Sequence, residues 1–306
     1  MVGTRMLRLA LVAAGAVGGV SGAAYGLLNG QSWYARRAIG EPTGVPFRAD
    51  GVHLPDGTGP VAASPTGAAP LLFAVLGDSS AAGLGVDTPD ELPGVRIARG
   101  VAAELENPVE LTTYAIVGST SRDLAAQVEA SLVVPPRLAL IIIGANDVTA
   151  RQSVAECAAL LGDAVARLRE AGVGVVVGTC PDLGAIRPIP QPLRSVASSW
   201  SLALGRAQRR AVEEAGGFAV PLADLLSPEF LTRPQELFSP DRFHPSAAGY
   251  EAAAGLLLPA LCSAIGEWHG PPVPQPPVRS SAAEARRPTS RVVARLNQRF
   301  GRHPGS

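Results

Sequence analysis

Residues 71–85 read LLFAVLGDSSAAGLG, and the fold turns on this stretch. Leu71–Leu76 is an unbroken apolar run, without the every-second-residue alternation of a strand that has one wet face. It stops at Gly77, and Asp78, Ser79 and Ser80 follow at once. A short aliphatic run closed in this way predicts a strand buried on both faces, the kind found in parallel sheets covered by helices. The polar residues then fall just beyond the strand's carboxyl end, where open α/β sheets collect their functional groups.

The pattern recurs downstream. Val109–Val117, Leu138–Ile143, Val173–Val177 and Phe218–Leu222 are further short runs dominated by apolar residues. Between them, helices are expected near 94–106, 120–132, 151–171 and 198–215, with a last one at 246–266. Strand-helix alternation of this kind predicts an α/β protein with a five-stranded parallel sheet sandwiched by helices. The proline-rich segment 183–197 reads as a loop over the carboxyl edge of that sheet.

Composition agrees with one folded body plus appendages. A chain of 306 residues with 47% hydrophobic content buries a substantial core, and a net charge of zero excludes disorder throughout. Aromatics at 5% and no basic surplus argue against a nucleic-acid partner. Only one long uncharged apolar stretch exists, so the chain is not a multi-span membrane protein. That stretch is the 27 residues Leu9–Ala35, preceded by Arg5 and Arg8. Residues 1–37 therefore read as a signal peptide or an N-terminal membrane anchor, and the protein as exported to the cell envelope or secreted. The competing reading is a buried N-terminal helix.

Residues 38–70, dense in Gly, Pro, Ala and Thr, read as a linker, 71–269 as the folded domain, and 270–306 as a Pro-rich and basic tail. Charge is divided accordingly. Residues 70–269 hold 14 Arg against 22 acids, whereas 270–306 hold seven Arg against Glu284 alone. In the tail, Val292, Val293, Leu296 and Phe300 recur at helical spacing among arginines, a pattern suited to an anionic membrane or envelope surface. A tail without specific role is the alternative.

Four stations follow the expected strands: Gly77-Asp78-Ser79-Ser80, Gly118-Ser119-Thr120, Gly144-Ala145-Asn146-Asp147 and Asp241-Arg242-Phe243-His244. Taken in this order, they resemble the blocks of the SGNH hydrolases, the GDSL esterase/lipase family. The likeness covers 71–266. Ser80 stands where the family's namesake motif has Leu, and the second block begins at Tyr114 where the pattern often has Asn. The resemblance implies the flavodoxin-like three-layer α/β/α sandwich of that family. It also implies Ser79 as nucleophile, His244 as base, Asp241 as its orienting partner, and Ser79, Gly118 and Asn146 as the oxyanion hole.

The residue types suit that chemistry. A serine hydroxyl is a poor nucleophile until a neighbouring base takes its proton, and histidine titrates near neutrality. An Asp three residues earlier can turn back to hold the other ring nitrogen. A glycine N–H and an asparagine amide are donors suited to a developing oxyanion.

Asp50-Gly-Val-His53 spells the same Asp-x-x-His, but it precedes the sheet and is assigned to the linker. His269 and His303 have no carboxylate at that spacing. Asp78 and Asp147 are expected to brace their loops and Asp182 to sit in a turn. Cys157, Cys180 and Cys262 read as small buried thiols. No metal site or cofactor is implied. The function expected is an exported serine esterase or lipase acting on carboxylic esters or thioesters of small molecules, lipids or glycans. An envelope acyltransferase using the same serine and a non-catalytic envelope-binding module are the alternatives.

Overall fold

The computed structural model describes residues 26–35, 37–38, 45–62, 67–271 and 293. The elements are β1 Gly51–His53, β2 Leu71–Gly77, α1 Pro93–Leu105, β3 Val109–Thr113, α2 Leu124–Ser131 and β4 Leu138–Ile142. They continue with α3 Ala145–Thr149, α4 Val154–Glu170, β5 Gly174–Gly178, α5 Leu193–Glu214, β6 Phe218–Val220, α6 Leu222–Thr232, α7 Pro234–Leu237 and α8 Ala247–Ala264. The sheet runs β1-β3-β2-β4-β5-β6. From β3 to β6 every pairing is parallel, and β1 is antiparallel to β3. The parallel part has the doubly-wound order in which the chain leaves β2 toward one side and returns to β4 on the other. The α/β sandwich expected from the sequence is present.

Strand burial alternates between two cores. Phe73, Val75, Leu138, Leu140 and Val176 face α1 and α8, packing with Val95, Val101, Leu257 and Leu261. Their chain neighbours Ala74, Leu76, Ala139, Ile141 and Val175 face α2 and α4, packing with Leu124, Val128, Leu161 and Leu168. Each fully buried Leu, Ile or Val contributes about 1.5–3 kcal/mol, and both faces are dry, so the strands show no polar alternation. Among the described residues α8 is the one helix long and apolar enough to cross a membrane. Here it belongs to the core, with Leu257, Ala260 and Leu261 buried.

Four expectations are corrected. The sheet has six strands, not five. The sixth, Gly51–His53, lies in the stretch read as linker and pairs in register with Val109–Leu111. Three residues that open on Gly51 and run into Leu54-Pro55 carry too short a pattern to read as a strand; pairing with β3 makes them one. The strand expected over 109–117 ends at Thr113, and Ile116 instead turns to donate its N–H to Gly77 O. Helix α5 begins at Leu193, within the segment read as a loop, because its prolines precede the helix and leave its interior free of proline. Finally, α6 and α7 were not expected, since Pro228 and Pro234 obscured them; Pro234 opens α7, where a missing N–H costs nothing.

Candidate active site

All four stations lie at the carboxyl edge of the sheet. Ser79 follows β2 by two residues and is buried. The chain turns sharply there: Gly77 has φ +131°, and a Cβ would collide with the Ile142 carbonyl of β4. The strand end is held from behind by Gln127 on α2, a buried amide. Its Oε1 accepts from Gly77 N–H (2.7 Å), and its Nε2 donates to Gly77 O (3.0 Å) and Ser119 Oγ (3.1 Å). Gln127 thus ties the serine's strand to the loop after β3. A polar residue between Leu124 and Val128 on a buried helix face was the signal for it, and sequence reasoning passed over it.

His244 arrives on the turn before α8. Its Nε2 lies 3.0 Å from Ser79 Oγ, and its Nδ1 lies 2.6 Å from Asp241 Oδ2. The other Asp241 oxygen accepts from the Ser239 hydroxyl (2.7 Å) and from the N–H groups of Phe243 (2.8 Å) and His244 (2.9 Å). Burial favours the protonated acid at Asp241. The hydrogen bonds from His244, Ser239 and the two N–H groups outweigh it and hold the carboxyl well below the usual carboxylate range. Asp241 is therefore an anion facing His244 Nδ1, which fixes the N–H on Nδ1 and leaves Nε2 to accept from the serine hydroxyl.

The remaining stations form one braced unit. Gly118 has φ +87°, accessible to glycine, and open space lies where a Cβ would project. Asn146 on α3 donates Nδ2 to Ser119 O (3.0 Å), joining that loop to the end of β4. Asp147 accepts from Ser121 N–H (2.9 Å), Ser121 Oγ (3.0 Å) and Cys157 Sγ (3.3 Å). Ser79, Gly118, Asn146, Asp241 and His244 are thereby brought to one edge on four loops. A second buried amide, Gln208 on α5, does for β4 and β5 what Gln127 does for β2: it accepts from Cys180 N–H (2.7 Å) and donates to Ile143 O (3.0 Å).

The other candidates separate cleanly. His53 sits on β1, fully buried, with Nε2 against Ala49 O (3.1 Å). Asp50 does not meet it; Asp50 accepts from Thr113 N–H (3.1 Å) and pairs with Arg48 (3.6 Å). His269 is exposed, and His303 lies outside the described residues. Asp182 caps a short 3-10 turn by accepting from Gly184 N–H (2.8 Å). Asp78 accepts from Ser80 N–H (2.9 Å); burial pushes its carboxyl up to about 6, that bond opposing and the nearby Asp147 adding. The three cysteines are free and buried, and burial pushes each thiol up, so none is a thiolate at neutral pH. Among the described residues no cluster of His, Cys, Asp and Glu suits a metal ion.

Residues 75–252 match the GDSL-like Lipase/Acylhydrolase family. A GDSL-like esterase of Mycobacterium tuberculosis is 45% identical over 288 residues, which cover 91% of this chain and 90% of that protein. Among solved structures, an acetylxylan esterase from Geobacillus stearothermophilus aligns at 22% identity and a TM-score of 0.46, over 64% of this chain and 94% of that one. The crystal structure of TesA aligns at 22% identity and a TM-score of 0.49, over 64% of this chain and 98% of that one.

Proposed function

The chain belongs to the GDSL-like lipase/acylhydrolase family and is a serine ester hydrolase, and we propose that it works through an acyl-enzyme on Ser79. The observation that carries this reading is the unbroken relay from Ser79 Oγ through His244 to Asp241, 3.0 Å and 2.6 Å long. Ser79 Oγ attacks the ester carbonyl as its proton passes to His244 Nε2. The imidazolium that forms is stabilised by Asp241, already ionised and turned toward Nδ1. The tetrahedral oxyanion is held by the N–H groups of Ser79 and Gly118 and the Asn146 amide. Each such donor is worth about 3–4 kcal/mol in the transition state. As the intermediate collapses, the C–O bond to the alcohol breaks and His244 returns its proton to that oxygen. Water then attacks the acyl-serine, with His244 as base, releasing the acid and restoring the serine hydroxyl.

Asn146 turns to Ser119 O in the resting site, so the amide is already aimed along the Gly118–Ser119 loop before substrate arrives. Prepaid orientation of this kind is what makes such donors effective. Carboxylic esters and thioesters are the substrates of this reading. The protein acts outside the cytoplasm: Arg5 and Arg8 followed by 27 uncharged residues, Leu9–Ala35, support export or anchoring at the envelope.

The test is Ser79→Ala on a series of p-nitrophenyl esters of rising chain length. The expected result is a fall in turnover on the order of 10⁴-fold or more with the fold intact by circular dichroism. Turnover within tenfold of the parent protein in a folded variant contradicts the serine mechanism.

A further inference from the structure

The helical residues 26–35 and 37–38 lie against the carboxyl edge of the sheet, beside the site just described. Gln31 clamps the loop after β5, donating Nε2 to Gln191 O (2.6 Å) and accepting at Oε1 from Leu193 N–H (3.0 Å). Asn29 Oδ1 accepts from Arg151 Nη2 (2.7 Å), two residues beyond the helix that carries Asn146. Ala38 O accepts from Arg242 Nη2 (3.5 Å), inside the Asp241–His244 turn. Ala35 is buried and Leu28 packs beside it in an apolar cluster with Ala145, Val148, Ile186 and Phe243. This segment therefore touches the loop after β5 and two of the stretches that carry the site, the one following Asn146 and the Asp241–His244 turn.

Its outer face has no partner among the described residues and is not polar. Leu27 is 52% exposed, Trp33 64% and Tyr34 58%, with Gly26 and Gly30 between them on the same side. At the end of this stripe the Arg37 guanidinium stands 5.5 Å over the Trp33 ring. The packed side mixes Leu28 and Ala35 with the hydrogen-bonding Asn29 and Gln31, whereas the open stripe is apolar, and an apolar helix stripe left open to solvent is suited to a bilayer surface. The 27 uncharged residues Leu9–Ala35 end on this helix, and a bilayer needs about 20. Tryptophan and tyrosine favour the headgroup layer, and an arginine beside them meets anionic lipid there. Val293, flanked in sequence by Arg291 and Arg295, is 3% exposed and buried in the same apolar cluster.

We propose that this helix lays the carboxyl edge of the sheet against an anionic lipid bilayer, so that the edge carrying Ser79 meets the headgroup layer and takes its ester from membrane amphiphiles. The proposal rests on the Ser79 hydrolase reading and adds its orientation and substrate class. Ile116, 60% exposed two residues before Gly118, faces the lipid with the helix; Val133, 81% exposed after α2 at the opposite edge, faces water.

The test uses the full chain in phosphatidylcholine vesicles with and without phosphatidylglycerol. Tyr34→Cys, Ile116→Cys and Val133→Cys are each labelled with an environment-sensitive fluorophore, the native cysteines being buried. A headgroup nitroxide should quench positions 34 and 116 and spare 133. Equal quenching at 116 and 133, quenching at 34 alone, or none anywhere overturns the orientation. Shielding at 34 that follows protein concentration instead of lipid assigns the face to a second copy and overturns it too. In parallel, the Trp33→Ser, Tyr34→Ser double variant should keep its turnover of a short soluble ester. It should lose roughly tenfold on an ester embedded in vesicles, since both rings lose their apolar burial. Equal turnover of the embedded ester contradicts the proposal. Absence of soluble-ester turnover in the parent chain contradicts the Ser79 reading instead, so the two failures are distinguishable.

Discussion

Two stretches of this chain spell Asp-x-x-His, and they end in opposite chemistry. At Asp241–His244 the backbone folds back on itself, with Arg242 at φ +58°. One carboxylate oxygen gathers the N–H groups of Phe243 and His244, which leaves the other free for the imidazole at 2.6 Å. At Asp50–His53 the backbone is extended along β1, and at about 3.3 Å per residue the two side chains start roughly 10 Å apart. Asp50 spends its oxygens on Thr113 and Arg48, while His53 rests on Ala49 O inside the core. Spacing alone does not make a pair. A turn brings residues three apart together; a strand separates them.

The largest contrast is expected between the two histidines. His244→Ala should lower kcat on a soluble ester on the order of 10⁴-fold or more, because base and leaving-group acid are lost together. His53→Ala should leave kcat within about twofold and instead lower unfolding free energy by about 1–3 kcal/mol, as expected of a truncated buried side chain. Steady-state kinetics and urea unfolding on both variants check this. Loss of activity in the His53 variant, with its fold intact, breaks the comparison.

The two acids should differ less. Asp241→Ala is expected to cost roughly 10²- to 10⁴-fold in kcat, less than His244→Ala, since it only orients and stabilises the imidazolium. Asp50→Ala should leave kcat unchanged and cost about 1 kcal/mol of stability through the lost bond to Thr113. An Asp241 variant with parental kcat would remove the orienting role.

The sequence made the body of the fold legible wherever strands were buried on both faces. The runs at 71, 138 and 173 carry no polar side chain, and each became a strand. It was less legible where local pattern is overridden by pairing or by proline. Gly51–His53 is a strand only because β3 lies beside it, and α5 and α6 have prolines at or near their starts or within them. In the site, three stations could be read because each sits at a strand end, and the fourth because Asp241 and His244 lie three apart just before the last helix. Gln127 and Gln208 could not, since a buried amide serving backbone groups looks like any polar residue on a helix until the strand it braces is placed.

Smaller effects appear in the pH dependence of stability. Burial lowers the His53 pKa below its ordinary 6.5, with the Ala49 carbonyl opposing. The unfolded chain then binds more protons than the folded one, so this contribution is complete above 6.5 and is lost as pH falls below it. His53→Leu should flatten the dependence of unfolding free energy on pH below 6.5, measured in urea. An unchanged slope would mean that His53 is not shielded as the fold requires.

Asp78 works in the other direction. Its carboxyl is raised from 3.8 to about 6, chiefly by burial, so the folded state holds the proton longer and this contribution to stability declines as pH rises through that window. Asp78→Asn keeps an acceptor for Ser80 N–H and should remove that decline. Urea unfolding at the two ends of the window checks it, and an Asn variant that retains the decline assigns it elsewhere.

Passage of the ester's acyl group onto Ser79 leaves a covalent species that can be trapped. Parent protein is mixed with a p-nitrophenyl ester, quenched in acid during turnover, digested and read by mass spectrometry. The result expected is an acyl adduct on Ser79, with a burst of p-nitrophenol matching the labelled fraction, and no adduct in Ser79→Ala. Turnover with the adduct on another residue, or a Ser79→Ala protein that still accumulates the acyl species, would exclude Ser79 as the acyl carrier.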